Sequence, residues 1–263
     1  MWRSVAILWV ALAAGCSLFP EKIDETANWS AQRLYTEAKE LMSDGSYEQA
    51  IKLYEKLEAK FPYGRYAQQA QIEVAYAYYR QGDRAQALAA CDRFIRLHPN
   101  HPNVDYIYYL RGLVDFNEDL GLLSSVSRQD MTERDPKGLR DSFDSLKELV
   151  TRYPDSKYVP DAVLRMSYLV NSMAANEVHV ARYYLRRGAY LAAANRAQYA
   201  VSTYQESPSI EEALYILVRA YDALGLTDLR DDADRVMRKN YPDSDFIAHG
   251  FQDGRDDPWW KLW

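Results

Sequence analysis

The sequence lacks the net positive charge, the abundant glycine and the alternating apolar pattern that many binding and β-rich proteins carry. Its net charge of −6 argues against a general nucleic-acid binder, because phosphate groups need a basic surface. There are 11 glycines in 263 residues, and Ala, Leu, Glu, Arg, Gln and Tyr dominate. That composition favours α-helix throughout. An apolar content of 48% and a charged content of 27% are typical of a globular protein with a substantial core.

Recognisable catalytic and metal-binding motifs are also missing. The sequence contains no phosphate-binding loop, no HExxH and no nucleophile elbow. His98 and His101 flank a Pro-Asn turn, and without further ligands nearby a solvated turn is favoured over a metal site. Acid pairs such as Asp231 and Asp232 lie in mixed charge runs, which are typical of solvated faces. We therefore expect a protein that is not an enzyme and that holds no metal or cofactor.

The N-terminus has the pattern of a lipoprotein signal. An apolar run over residues 5–14 is too short to cross a membrane but has the length of a signal-peptide core. Ala13, Ala14 and Gly15 before Cys16 resemble a bacterial lipobox, although Ala13 replaces the usual leucine. The pattern predicts a signal peptide over 1–15, a lipid on Cys16, and a linker over 16–29. A simple signal peptide with an incidental cysteine is the alternative.

The second cysteine, Cys91, lies among apolar residues and is expected to be a buried residue rather than a nucleophile. If Cys16 is acylated, Cys91 has no partner, so no disulfide is expected.

Four prolines each follow a glycine by 16 or 17 residues, with a helical stretch between them. Glycine provides the left-handed residue that ends a helix, and proline prevents the next helix from continuing. The sequence therefore reads as helix, glycine turn, helix, proline turn. The pairs are Gly45–Pro62, Gly82–Pro99, Gly138–Pro154 and Gly225–Pro242.

This pattern resembles the tetratricopeptide repeat, in which small residues let two helices approach closely. Ala38 and Ala50 occupy those positions in the first copy, Ala75 and Ala87 in the second, and Gly112 in the third. One hairpin cannot bury its apolar face alone, so stacked copies are expected. We predict an all-α fold, a right-handed superhelix of five tetratricopeptide-like helix hairpins. The expected segments are 30–116 for repeats 1–2 and the first helix of repeat 3, 117–135 for an insert, 136–246 for the remaining repeats, and 247–263 for a Trp-rich tail.

Two surfaces have an unusual composition. There are 22 tyrosines against 7 phenylalanines, many of them on the first helices of hairpins, where they suit either a peptide groove or the core. Four arginines and no acid occur between Val178 and Ala200, which suits either a docking surface for an acidic partner or a solvated face. Trp259, Trp260 and Trp263 either form a binding surface or fold back on the last repeat.

Several longer strings are similar to the BamD family, the tetratricopeptide lipoproteins of the outer-membrane β-barrel assembly machine. They include "FPYGRYAQQAQ", "DRFIRLHPNHPNVDYIYYLRG", "RYPDSKY" and "ARYYLRRGAY". The resemblance covers nearly the whole mature chain and is weakest in the insert and the tail. It implies a scaffold on the periplasmic face of the outer membrane, not a catalyst.

The resemblance also implies partners and contact residues. The N-terminal repeats would recognise unfolded outer-membrane proteins, and the C-terminal half would dock on a POTRA domain of BamA. Accessory Bam lipoproteins would be further partners. The implied substrate groove comprises Tyr63, Arg65, Tyr66, Tyr76, Tyr79 and Tyr108. The implied BamA docking residues are Tyr183, Tyr184, Arg187, Gly188, Tyr190, Asn195 and Arg196.

Two alternatives stay open at this point. The chain could be another periplasmic repeat scaffold, for example one that coordinates cell-wall synthesis. An enzyme is the more distant alternative, because it would need a polar cluster that the sequence does not show.

Overall fold

The computed structural model describes residues 26–116 and 136–251. Within those two ranges the secondary structure is α-helical, without β-strands, and the helices are joined by short turns. The predicted all-α fold built of helix hairpins is confirmed there. The helices are α1 (Ala31–Ser43), α2 (Tyr47–Lys60), α3 (Arg65–Gln81), α4 (Arg84–Leu97), α5 (Val104–Phe116), α6 (Pro136–Arg152), α7 (Val159–Arg186), α8 (Tyr190–Thr203), α9 (Ile210–Ala223), α10 (Thr227–Asn240) and α11 (Asp245–His249).

The turns within the hairpins follow from the glycine and capping pattern. Gly45 has φ +77° directly after α1, and its N–H donates to the Met42 carbonyl at 3.2 Å. Ser30 caps the start of α1 by accepting from the Arg33 N–H, and Asp83 caps α4 by accepting from the Gln86 N–H. These contacts satisfy backbone groups that a helix end leaves without partners.

The proline turns end the second helix of four hairpins, as predicted. Helices α2, α4, α6 and α10 each stop two residues before a proline, because a residue that precedes proline disfavours the helical conformation. One glycine assignment was wrong. Gly138 lies inside α6, buried, and does not form a turn before it.

The described chain forms two compact units, which divide at Ala70 and Gln71 within α3. In the first unit α1 packs on α2. Ala38 and Ala50 are both completely buried there, as the repeat pattern predicts for positions of close helix approach. The segment before α1 is held by Lys60, whose Nζ donates to the carbonyls of Ala27 and Trp29 at 2.5 and 2.9 Å.

In the second unit consecutive helices from α4 to α10 pack as neighbours, and one hydrophobic cluster extends from Ile72 to Met237. Gly112 is the small residue where α5 crosses α6, since a Cβ there would lie 2.4 Å from Leu146 Cδ2. Helix α7 is the longest of the described helices and runs for 28 residues without interruption. Its partner α8 and the next hairpin, α9 and α10, complete the repeats.

Several predicted segments lie outside the described residues. They are the signal peptide over 1–15, Cys16 with most of its linker, the insert over 117–135, and the three tail tryptophans. Across 26–116 and 136–251 no helix is both long and apolar enough to span a membrane.

Candidate functional site

The strongest surface candidate lies where α7 turns into α8. Gly188, with φ +75°, ends α7, and its N–H donates to the Leu185 carbonyl while the Ala189 N–H donates to the Tyr184 carbonyl. A left-handed residue of this kind commonly ends a helix, because it lets the last helical carbonyls accept hydrogen bonds. It brings the end of α7 and the start of α8 to one exposed edge of the second unit.

Tyr183 and Arg187 form a pre-organised pair on this edge. The Tyr183 ring is 49% exposed. Arg187 Nε donates to the Tyr183 hydroxyl at 3.2 Å, and the guanidinium carbon lies 5.5 Å from the ring centroid. The hydrogen bond raises the pKa of Arg187, so the side chain stays cationic. An exposed aromatic ring and a fixed cation at its edge are the residue types that dominate protein interfaces.

Tyr183 and Tyr184 lie in different environments, because adjacent side chains on a helix point about 100° apart. Tyr184 is half-buried against the core, and its ring meets Tyr183 edge-to-face at 5.8 Å. Its packing fixes the exposed ring beside it. On the α8 side the predicted residues Tyr190, Asn195 and Arg196 are all exposed. Leu191 is 63% exposed on the same turn and was missed, because an isolated leucine in a helical pattern looks like a core residue.

The positive charge of this region is smaller than the sequence indicated. Arg182 makes a bidentate ion pair with Glu212 of α9. Arg196 Nη1 lies 3.0 Å from Glu177 Oε2 on α7. Neither acid is evident from the sequence between Val178 and Ala200, because Glu212 belongs to the next hairpin and Glu177 directly precedes that stretch. Arg186 and Arg187 remain as exposed arginines without an ion pair among the described residues.

The first unit holds part of the predicted substrate groove. Tyr63 is 92% exposed in the turn before α3. Arg65 stacks on Tyr66 at 4.9 Å and donates to its hydroxyl at 3.2 Å. Tyr66 in turn contacts Tyr35, whose ring lies 5.8 Å from the fully buried Tyr54. A ladder of rings thus runs from the core of this unit to its surface.

In the second unit the remaining groove tyrosines divide into two groups. Tyr76 and Tyr79 are half-buried with ring centroids 6.2 Å apart, and Arg80 donates to the Tyr76 hydroxyl at 2.9 Å. Tyr108 is only 3% exposed. Its ring lies below the guanidinium groups of Arg111 and Arg152, at 5.2 and 5.6 Å. The prediction that Tyr108 lines an open groove was therefore wrong, because this ring is part of the core.

The cysteine and the two histidines considered as reactive groups are packed against other side chains. Cys91 is completely buried, as predicted, and burial raises the pKa of its thiol to about 12. His98 and His101 are half-buried around Phe94 rather than solvated, with ring centroids 5.1 and 5.2 Å from it. Within 26–116 and 136–251 no three His, Cys, Asp or Glu side chains cluster as a metal site would require.

The comparison with known proteins decides the family. Residues 27–236 match the family described as YfiO, outer membrane lipoprotein. Outer membrane protein assembly factor BamD of Neisseria meningitidis serogroup A is 49% identical over 238 residues, which cover 90% of this chain and 89% of that protein. The chain belongs to the BamD family.

Other BamD proteins match over similar lengths. The assembly factor of Vibrio cholerae is 36% identical, covering 89% of this chain and 96% of its own. That of Xylella fastidiosa strain Temecula1 is 40% identical over 82% of this chain and 74% of its own. A solved structure of TPR-like repeats from a Podosopora anserina putative kinesin light chain covers 80% of this chain and 95% of its own, at 17% identity and a TM-score of 0.32. That score is too low to support a structural argument.

Proposed function

We propose that this BamD-family chain is a non-enzymatic scaffold lipoprotein of the outer-membrane β-barrel assembly complex. It docks on BamA and helps to recognise and insert unfolded outer-membrane proteins. Cys16 carries the lipid that holds it at the periplasmic face of the outer membrane. Membership of the BamD family supports a role in this complex, and the accessory Bam lipoproteins are its further partners.

The α7–α8 surface is the proposed BamA docking site, comprising Tyr183, Tyr184, Arg187, Gly188, Tyr190, Asn195 and Arg196. The observation that supports it most is the exposed Tyr183 ring with Arg187 fixed at its edge. Because Arg187 already hydrogen-bonds the Tyr183 hydroxyl, docking should lose less side-chain entropy than it would with two unpaired side chains. Behind them, Tyr184 packs on the core and Arg182 forms an ion pair with Glu212 of α9, which supports the position of both side chains.

Substrate recognition is proposed for the exposed rings of the N-terminal repeats. In the first unit Tyr63, Arg65 and Tyr66 offer aromatic surface and a cation, and in the second Tyr76 and Tyr79 offer two adjacent rings. Unfolded outer-membrane segments rich in aromatic residues are suitable ligands for such surfaces. The buried Tyr108 is not included in this proposal.

The docking proposal is tested by purifying the tagged lipoprotein from gently solubilised membranes and identifying the proteins that co-purify. We expect BamA, cross-linked near Tyr183 and Tyr190. The variants Tyr183→Ala and Arg187→Ala should each weaken BamA binding by about tenfold or more, as interface anchors do. Arg235→Ala, at an exposed arginine of α10, is the matched control and should leave binding unchanged.

Two results would contradict this proposal. One is an undiminished yield of BamA with both α7–α8 variants. The other is recovery of cell-wall enzymes without BamA, which would favour the alternative of a scaffold for cell-wall synthesis.

A further inference from the structure

A pocket lies at the opposite end of α7 from the α7–α8 surface. Helix α7 is 28 residues long, whereas α9, the first helix of the next hairpin, has 14. The additional N-terminal part packs on α6 and leaves a pocket of about 390 Å³ between the two helices. That volume is within the range of pockets that hold ligands. Since the pocket is at least 12 residues, or about 18 Å, from Tyr183 along the helix, it is separate from the docking site.

The pocket is lined by both apolar and polar side chains. Phe143 of α6 and Val163, Met166 and Val170 of α7 supply the apolar lining, and Ser167, Asn171 and Glu206 supply the polar groups. The spacing of the α7 residues, three and four apart, places them on one helix face. The sequence alone gives no sign of it, because the partner residues Phe143 and Glu206 come from other elements.

A second exposed apolar strip lies on α7 beside the pocket, beyond the polar residues Ser167 and Asn171. Leu164 is 72% exposed and Tyr168 is 38% exposed. The nearby Arg165 does not add a free charge to this face, because it is paired with Asp161 and lies 4.7 Å from the Phe116 ring centroid. A pocket with a second apolar strip beside it suits an extended chain segment, which can reach across the polar residues between them, better than a compact small molecule.

Glu206 is the charged residue among the described residues that line the pocket. It is exposed in the turn between α8 and α9 and makes no ion pair among the described residues. Asn171 is also exposed, and its amide can both donate to and accept from a peptide backbone. An acidic ligand would be repelled by the Glu206 carboxylate, and a basic one would be attracted.

We propose that this pocket binds a segment of a partner protein that places an aromatic or branched apolar side chain between α6 and α7. A lysine or arginine of the same segment pairs with Glu206, and Asn171 hydrogen-bonds its backbone. This second peptide site does not depend on docking to BamA or on the tyrosines of the N-terminal repeats.

The test uses the full mature chain and three fluorescein-labelled peptides in the same Gly-Ser frame, followed by fluorescence anisotropy. One peptide carries a tryptophan beside a lysine, the second a tryptophan beside a glutamate, and the third an alanine beside a lysine. We expect the first to bind most tightly. Glu206→Lys should weaken binding of the lysine peptide by about tenfold and strengthen binding of the glutamate peptide.

A second variant tests the pocket itself. Val170→Asp should reduce binding of both tryptophan peptides, and Leu229→Asp, at an exposed leucine of α10, is the control that should not. Thermal unfolding identifies a variant that has lost its fold, and Glu206→Lys alters only an exposed turn, so it remains informative if Val170→Asp does not fold. Failure of all three peptides to bind, or a charge preference that Glu206→Lys leaves unchanged, would overturn the proposal.

Discussion

The contact between Gly112 and Leu146 allows a quantitative prediction about the repeat core. A Cβ added at Gly112 would lie 2.4 Å from Leu146 Cδ2 and 2.7 Å from its Cγ. Leu146 is completely buried, so it has little room to change rotamer. Overpacking of this kind costs about 2–3 kcal/mol, while replacing a helical glycine by alanine returns about 1 kcal/mol. We therefore expect Gly112→Ala to lower the free energy of unfolding by about 1–2 kcal/mol.

The decisive measurement is a double-mutant cycle with Leu146→Ala. That substitution alone should cost about 2–5 kcal/mol, because it leaves a cavity in the core. In its background the added methyl at Gly112 has space, so Gly112→Ala should become neutral or slightly stabilising. Urea unfolding followed by far-ultraviolet circular dichroism gives each free energy. If Gly112→Ala destabilises the protein equally in both backgrounds, the close approach of α5 and α6 at this residue is refuted.

Three further predictions concern single side chains. Tyr63→Ala should change the free energy of unfolding by less than about 0.5 kcal/mol, because the ring is 92% exposed. Tyr108→Ala should lower it by about 3–5 kcal/mol in urea unfolding, because that ring is buried. Equal effects of the two substitutions would contradict these environments. In a mature chain with Cys16→Ser, Cys91 should react with a thiol reagent only after unfolding, and rapid reaction of the native protein would show that the thiol is accessible. The pKa of His101 is lowered from its ordinary 6.5, first by burial and then by the nearby His98. The unfolded chain therefore binds the proton more readily, so the free energy of unfolding should fall as the pH drops below about 6.5. The urea midpoint of His101→Asn should fall less over the same pH range.

The hairpins could be predicted from the sequence because their signals are local. A glycine that needs a positive φ and a proline that cannot continue a helix act within a few residues, so the ends of α1, α2, α3 and α4 follow directly. The prediction of a turn at Gly138 was wrong, because a glycine within a helix can also lie 16 residues before a proline. Its position inside α6 depends on packing against other helices, which spacing does not reveal.

The candidate sites were harder to predict because they depend on contacts between helices. Tyr108 and Tyr109 are adjacent on α5, and their rings point about 100° apart. Tyr108 is buried in the core, whereas Tyr109 stacks on Tyr158 with ring centroids 4.8 Å apart. An apolar helix such as α5 gives no signal of which ring faces inwards. The ion pair of Arg182 with Glu212 was hidden for the same reason, since the acid belongs to another hairpin.

The unbroken length of α7 fixes the distance between the two proposed partner surfaces. Val163 and Tyr183 are 20 positions apart on one continuous helix, which corresponds to about 30 Å. A single partner that occupied both surfaces would need about nine extended residues between its two contact points, and a shorter connection could engage only one of them. With a connection of adequate length the second contact becomes intramolecular, so two weak sites together would retain the partner far more strongly than either alone. If both proposed surfaces bind, the length of α7 would select partners by the spacing of their binding segments.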